Sequence, residues 1–380
     1  MQFIVRTHLR LWKLRKVIEM GIKRAYDKAI SSGYYKRRSG LIGKYDGVRT
    51  FWEDEIIRIF VRPYIERIEK ERGRIKVLDI GCGYGDGYEL FANLSDKMEY
   101  KGFDINENFI EEARRIYKDK KNMSFEVADF SSGLPLKEDY DFYFTSYGTL
   151  SHNDDEQNIL LLGDIADCSD GCFVICDWLG AYSYEWQSLW GEEWMDYRIS
   201  YLSGSGGESF PLRLMTPENI LKMVREASSR LKIERIFDRS VFVGRHIDTA
   251  EYNRHCKPVR SAVNSLFEPG VRTNFKNLLI DYHPREGFSA LNSFFEDFSA
   301  HWNSLVACTM DLEEDCDAEI QNPEMEKLEK MVESDIWMDN SNYRENVIEP
   351  QLGYALRNLE MRMQRGMGVA HGLLAILSIK

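Results

Sequence analysis

The chain has seven cysteines, at 82, 168, 172, 176, 256, 308 and 316, but no CxxC pair. Without that spacing a structural zinc site has no sequence basis, and the thiols read as reduced side chains of a cytoplasmic protein. No apolar run approaches the ~20 residues needed to cross a bilayer. The N-terminus also lacks the uninterrupted apolar stretch of a signal peptide. Positive charge is scarce: 50 Lys and Arg against 62 Asp and Glu leave a formal net charge of −12. That balance argues against nucleic acid as a partner, because such binding leans on cations that neutralise phosphates. No His, Asp and Glu spacing suggests a metal, and there is no internal repeat or low-complexity tract.

What is present describes an ordinary globular chain, 43% apolar and 29% charged over 380 residues. That length suits two domains or one heavily decorated domain. Residues 1–24 carry many Lys and Arg but one acid, Glu19, among Phe3, Leu9, Trp12 and Val17. Such a basic amphipathic helix suits an anionic membrane surface; the plainer reading is packing on its own domain or on a second copy in a homodimer. Another helix is expected from about Thr50 to Arg72, with Pro63 as a kink and Gly73 as its end.

Strand and helix patterns then alternate. Strands are expected at Ile75–Ile80, Tyr100–Ile105, Met123–Val127, Asp141–Ser146 and Cys172–Asp177, with helices between them. This spacing implies a mostly parallel sheet with helices on both faces. The alternation breaks after Trp178. Residues 179–215, rich in Tyr and Trp, read as an aromatic cap with a flexible turn. A helix starts at Thr216-Pro217, a sixth strand spans about Ile233–Val243, and Leu373–Ile379 is a last strand. Residues 246–365 between them are amphipathic and mainly helical. The expected divisions are 1–72, an N-terminal helical segment and lid; 73–245, the core; 246–365, an insert that covers substrate or forms a dimerisation arm; and 366–380, the final core strand.

The strongest motif is Val77-Leu78-Asp79-Ile80-Gly81-Cys82-Gly83-Tyr84-Gly85. Its glycines let the backbone turn sharply and let a ligand touch it, and the helix that follows offers unpaired N–H groups. Asp104 ends the second strand, where it can accept from both hydroxyls of a ribose. Asp129 follows the third, within reach of an exocyclic adenine amine. Either acid alone is as readily a helix cap; three such sites in order at successive strand ends are much harder to obtain by accident.

Residues 75–178 resemble the core of the class I S-adenosylmethionine-dependent methyltransferases. The family's glycine-rich first motif matches Asp79 to Gly85, including Gly81, Cys82 and Gly83, its ribose acid matches Asp104, and its adenine acid matches Asp129. By this resemblance Ile105 and Phe130 flank the adenine, and Ser146 and Tyr147 face methionine and the reacting methyl. Lys44–Trp52 resembles an N-terminal lid, in which Tyr45 or Trp52 covers the cofactor and Arg49 meets the methionine carboxylate. The resemblance implies an α/β, Rossmann-like fold with a seven-stranded, mostly parallel sheet, the seventh strand antiparallel between the fifth and sixth, and a large helical insert between the last two strands. It makes S-adenosyl-L-methionine the expected cofactor.

Two rivals remain at this level. A nicotinamide fingerprint needs a third glycine where Asp86 stands, and that carboxylate would face a pyrophosphate. A non-catalytic methyltransferase-like scaffold would not need the three cofactor positions intact. For the acceptor, Thr145-Ser146-Tyr147-Gly148 differs from the Asn/Asp-Pro-Pro-aromatic turn of enzymes that methylate base amines. The aromatics after the fifth strand suit a small apolar or cationic molecule, with a protein acceptor as the alternative. Trp178, Trp190, Trp194, Arg245 and His246 are the candidate acceptor contacts. His152, just past the fourth strand, is the candidate base, and equally a structural hydrogen-bonder.

Overall fold

The computed structural model describes residues 21–31, 46–135, 137–145, 147–198, 209–244, 252–311 and 344–380. Tyr45, Ser146, Arg245 and His246, and the basic segment up to residue 20, lie outside these residues. Among the described residues no helix is long and apolar enough to cross a membrane.

A helix at 21–31 (α1) is followed by a π-turn at Arg49–Glu53 that leads into α2, Asp54–Arg72. α2 contains Pro63 and ends at Gly73, whose φ of 71° suits a residue without a Cβ. Then come β1 (Ile75–Ile80), α3 (Asp86–Ala92), β2 (Met98–Asp104), α4 (Glu107–Ile116), β3 (Met123–Val127) and β4 (Phe142–Thr145). α5 (Asp155–Cys168), β5 (Phe173–Gly180), β6 (Trp194–Arg198), β7 (Ser209–Met215), α6 (Pro217–Ala227) and β8 (Leu231–Arg239) follow. After β8 come α7 (Arg260–Ser265), α8 (Ser289–Asp311), α9 (Glu349–Met363) and β9 (Gly372–Ile379). α5 opens with a capping box between Asp154 and Gln157. Thr216 caps α6 ahead of Pro217, as the sequence indicates.

β3, β2, β1, β4 and β5 pair in parallel. β9 lies antiparallel between β5 and β8, so the expected final strand is in its place. Alternating side chains divide the sheet. Leu78, Ile80, Tyr143, Val174, Cys176 and Trp178 pack with α5 and α6 residues such as Leu161 and Ile220. Val77, Phe142, Phe144 and Ile175 pack on the opposite side with α2 and the insert, through Ile57, Phe295, Trp302 and Leu352.

Three expectations need correction. Among the described residues the sheet has nine strands, not seven: the aromatic segment forms a hairpin, β6 against β7, and β7 pairs in parallel with the end of β5 at Leu179 and Gly180. The alternation Trp194-Met195-Asp196-Tyr197-Arg198 is the strand signal hidden among the aromatics. The sixth core strand stops at Arg239 because Ser240 takes φ 69°, a left-handed value that ends extended pairing. Trp52, expected over a cofactor, is fully buried beneath α8 and α9, its indole N–H donating to Glu360 at 3.1 Å and its ring 5.8 Å from that of Trp302.

Candidate active site

The carboxyl ends of β1, β2, β4 and β5 bring the sequence motifs together at one edge. After β1 the chain bends through Gly81, φ 73°, and Gly83, φ 53°. A Cβ on Gly81 would come 2.4 Å from Thr149 Cγ2, so this turn and the β4 exit touch only because Gly81 has no side chain. The Gly83 N–H donates to Asp104 Oδ2 at 2.9 Å, and the Asn106 N–H donates to Oδ1 at 2.8 Å. Asp104 thereby joins the glycine turn to the start of α4.

Asp79 is wholly buried under the loop and accepts from the Tyr100 hydroxyl. Its carboxylate lies against the start of α3, where a Cβ on Gly87 would come 2.3 Å from Oδ2. Cys82 is buried, and Gly102 on β2 leaves room for its sulfur, which would lie 2.7 Å from a Cβ there. Ile105 is 41% exposed, unusual for a large apolar side chain at a strand end. Asp129 is exposed and accepts from the Ser131 N–H at 2.8 Å. Phe130 is half-buried beside the α5 side of the core. A glycine cradle, an acid at the end of β2 and an uncovered apolar face fit an adenosyl group with an amino-acid tail.

α1 crosses this edge. Its Asp27 accepts from the side-chain amides of Asn106 at 3.0 Å and Asn108 at 2.8 Å. One residue away, the Tyr26 hydroxyl lies 3.1 Å from His152 Nε2. Tyr26 also meets the rings of Phe109 and Phe210 at 5.8 and 6.0 Å. The helix thus spans from Asn106 and Asn108 after β2 to the fourth-strand exit and the β6–β7 hairpin. His152 Nδ1 has no partner among the described residues, and burial pushes its imidazole down to about 4.

At the fourth-strand exit itself lies a charged cluster that sequence reasoning named only in part. Tyr147 adopts φ 56°, one of two non-glycine residues with positive φ among those described. Its N–H donates to Asp177 Oδ2 at 2.7 Å, and its hydroxyl donates to Asp54. The guanidinium carbons of Arg49 and Arg239 lie 2.9 and 4.4 Å from its ring centre. Arg49 pairs with Asp54 at 2.9 Å, and Arg239 Nη1 with Asp177 Oδ2 at 2.9 Å. Gly372 allows this, because a Cβ there would come 2.7 Å from Arg239. Burial raises the Tyr147 phenol well above its usual value and raises Asp54 against the opposing pull of Arg49.

The second positive-φ residue, Ser240, sits beside this cluster. Its N–H donates to Glu360 at 2.6 Å and its hydroxyl to Glu53 at 3.0 Å. Arg260 completes the group, pairing with Asp46 at 2.7 Å and Glu53 at 3.2 Å. The sequence signal for Asp54, Asp177 and Arg239 was faint. Each is a charge at the boundary of an apolar element, and only the topology makes them neighbours.

The proposed acceptor aromatics are placed differently. Trp178 is fully buried among α5-side core residues. Trp190 is buried with its ring stacked 5.6 Å from Phe295, its N–H donating to the Ser183 carbonyl. Both are core residues, a correction to their expected role as pocket walls. Trp194 is 41% exposed on the hairpin, near Arg213.

Residues 77–168 match a family model described as a methyltransferase domain. No curated protein matches the chain. Among solved structures, the chain is similar to an S-adenosylmethionine-dependent methyltransferase from Clostridium acetobutylicum, at 16% identity over 49% of this chain and 87% of that one, with a TM-score of 0.35. It is also similar to DesVI of Streptomyces venezuelae, at 13% identity over 49% and 84%, TM-score 0.34. A third is the glycopeptide N-methyltransferase MtfA complexed with sinefungin, at 13% identity over 47% and 78%, TM-score 0.35.

Proposed function

We propose that this chain is an S-adenosylmethionine-dependent methyltransferase, a reading supported by the methyltransferase-domain match over residues 77–168, and that it methylates an oxygen or nitrogen of a small-molecule acceptor. When bound, S-adenosylmethionine supplies a methyl group on a sulfonium that leaves as a neutral thioether. In this reading Asp104 accepts from the ribose hydroxyls, Ile105 and Phe130 flank the adenine, and Asp129 accepts from its amine. Gly81 to Gly83 offer backbone to the methionine part, and Arg49 is the nearby cation for its carboxylate.

The observation that carries the small-molecule reading is the enclosure of the fourth-strand exit. α1 supplies Tyr26 on one side and the hairpin supplies Phe210 on another, both against His152, with ring centres 5.5 Å apart for His152 and Phe210. Rings in direct contact cover the exit and exclude bulk water from the displacement, which suits a compact acceptor and not a polymer. The net charge of −12 adds no attraction for nucleic acid. The protein's own task is then alignment and proton handling.

The test is incubation of the purified chain with methyl-labelled S-adenosylmethionine and a cell extract separated into small-molecule, protein and nucleic-acid fractions. Label should appear in the small-molecule fraction. Label confined to the protein or nucleic-acid fraction would overturn the acceptor class.

A further inference from the structure

We propose that the Tyr147 hydroxyl and the Asp54 carboxylate form the proton-accepting pair of the methyl transfer, with Asp177 and Arg239 as the positioning residues that hold Tyr147 in place. The proposal rests on the reading above that an acceptor bearing a proton is methylated at this edge.

Four observations carry it. Tyr147 stands two residues past β4, next to the Gly81–Thr149 contact that joins the glycine turn to the fourth-strand exit. Its backbone holds a left-handed conformation that a non-glycine residue adopts only under strain. That conformation is maintained by a buried carboxylate, since Asp177 accepts the Tyr147 N–H at 2.7 Å while pairing with Arg239 at 2.9 Å. The phenol oxygen already donates to Asp54, so a route for its proton exists before any acceptor arrives. His152 offers less: one ring nitrogen faces Tyr26, and burial disfavours the imidazolium that a base must become.

The charges around the phenol suit the task. Arg49 and Arg239 lie over its ring, and Asp54, Glu53 and Asp177 balance them. Two guanidiniums beside the ring stabilise negative charge that develops on the oxygen. Burial weakens Asp54 as an acid and so makes its carboxylate readier to take a proton.

The step balances as follows. The acceptor's O–H or N–H heavy atom bonds to the methyl carbon as the carbon–sulfur bond breaks, with that bonding pair leaving on sulfur. The acceptor proton passes to the Tyr147 oxygen while the phenol's own proton passes to Asp54. Asp54 ends neutral and later returns its proton to water. No oxidant, reductant or metal is required.

The test compares the unaltered chain with Tyr147→Phe and Asp54→Asn, using the small-molecule fraction that accepts label. Both variants should lower kcat by about 100-fold, the range for loss of a positioned proton acceptor, while calorimetric S-adenosylhomocysteine affinity falls by no more than about tenfold, since Asp54 and Tyr147 also hold Arg49 in place. Independently of turnover, the 13Cζ tyrosine resonance that vanishes in Tyr147→Phe should shift in Asp54→Asn. Tyr147→Phe with more than half the normal kcat would overturn the proposal, as would an equal loss of kcat and S-adenosylhomocysteine affinity, which marks a cofactor-holding role. An unshifted 13Cζ resonance would remove the Asp54 link. Absence of label transfer by the unaltered chain would instead sink the functional reading itself, and this pair with it.

Discussion

The Gly83 N–H points into the Asp104 carboxylate at 2.9 Å, which ties the glycine turn after β1 to the end of β2. The same carboxylate accepts from the Asn106 N–H at 2.8 Å, so one side chain fixes both walls of the expected ribose site. Asp104→Ala should therefore destabilise the protein even without cofactor. Two lost hydrogen bonds to a charged acceptor imply about 2–4 kcal/mol after water compensates in part. Thermal melting of the cofactor-free chain checks this, and an unchanged melting temperature would refute the brace.

Gly81→Ala should be worse for binding than for folding. The new methyl would fall 2.4 Å from Thr149 Cγ2 in a backbone at φ 73°. Overpacking of this kind costs about 1–3 kcal/mol, and the displaced turn should lose most S-adenosylhomocysteine affinity. Thr149→Ser, which removes Cγ2, should recover part of the stability in the double variant. Recovery of none would place the strain elsewhere.

His152→Ala should leave turnover within about threefold of normal, far from the 100-fold or greater loss expected of a general base. The imidazole, held down to about 4 by burial, is neutral at working pH, and its Nε2 is occupied by Tyr26. A hundredfold fall in kcat with intact S-adenosylhomocysteine binding would restore His152 as the base.

Stability should fall as pH rises from about 5 to 8. Burial lifts Glu360 to about 7 and Asp238 to about 6, although each accepts backbone N–H groups, from Ser240 and Val241 and from Met367 to Val369 respectively. Both folded values exceed the ordinary carboxylate values. Their contribution is therefore fully present below about pH 4, where both carboxyls are protonated in either state, and is lost as pH climbs through 6 and 7. Glu360→Gln should flatten the melting temperature across that range. A slope identical to that of the unaltered chain would show that Glu360 does not titrate there.

Much of this architecture was legible in the sequence because local patterns carry it. The apolar run Ile75–Ile80 and its glycines, the acids ending β2 and following β3, and the cap Thr216 ahead of Pro217 are signals spanning a few residues. The β6–β7 hairpin was not legible, because its alternation is buried in a segment whose aromatic content suggested a cap. Trp178 and Trp190 misled for a related reason: an indole reads the same in a core as in a pocket, and only packing decides. The Tyr147 cluster joins the neighbours Arg49 and Asp54 to Asp177 and Arg239, which lie far from them along the chain. Long-range convergence of that kind leaves almost no mark on any one segment. α1 was expected among the N-terminal helices, but its position over the edge follows from Tyr26 and Asp27, which no motif flagged.

The most direct test is a calorimetric titration of S-adenosylhomocysteine into the unaltered chain and into Asp104→Ala, each shown folded by its melting curve. The unaltered chain should bind one equivalent, and the variant should bind about tenfold to a hundredfold more weakly, as expected for lost charge-assisted bonds to two ribose hydroxyls. No heat from the unaltered chain, or equal affinity in the two proteins, would contradict a cofactor seated on Asp104 at the carboxyl edge of β1 and β2.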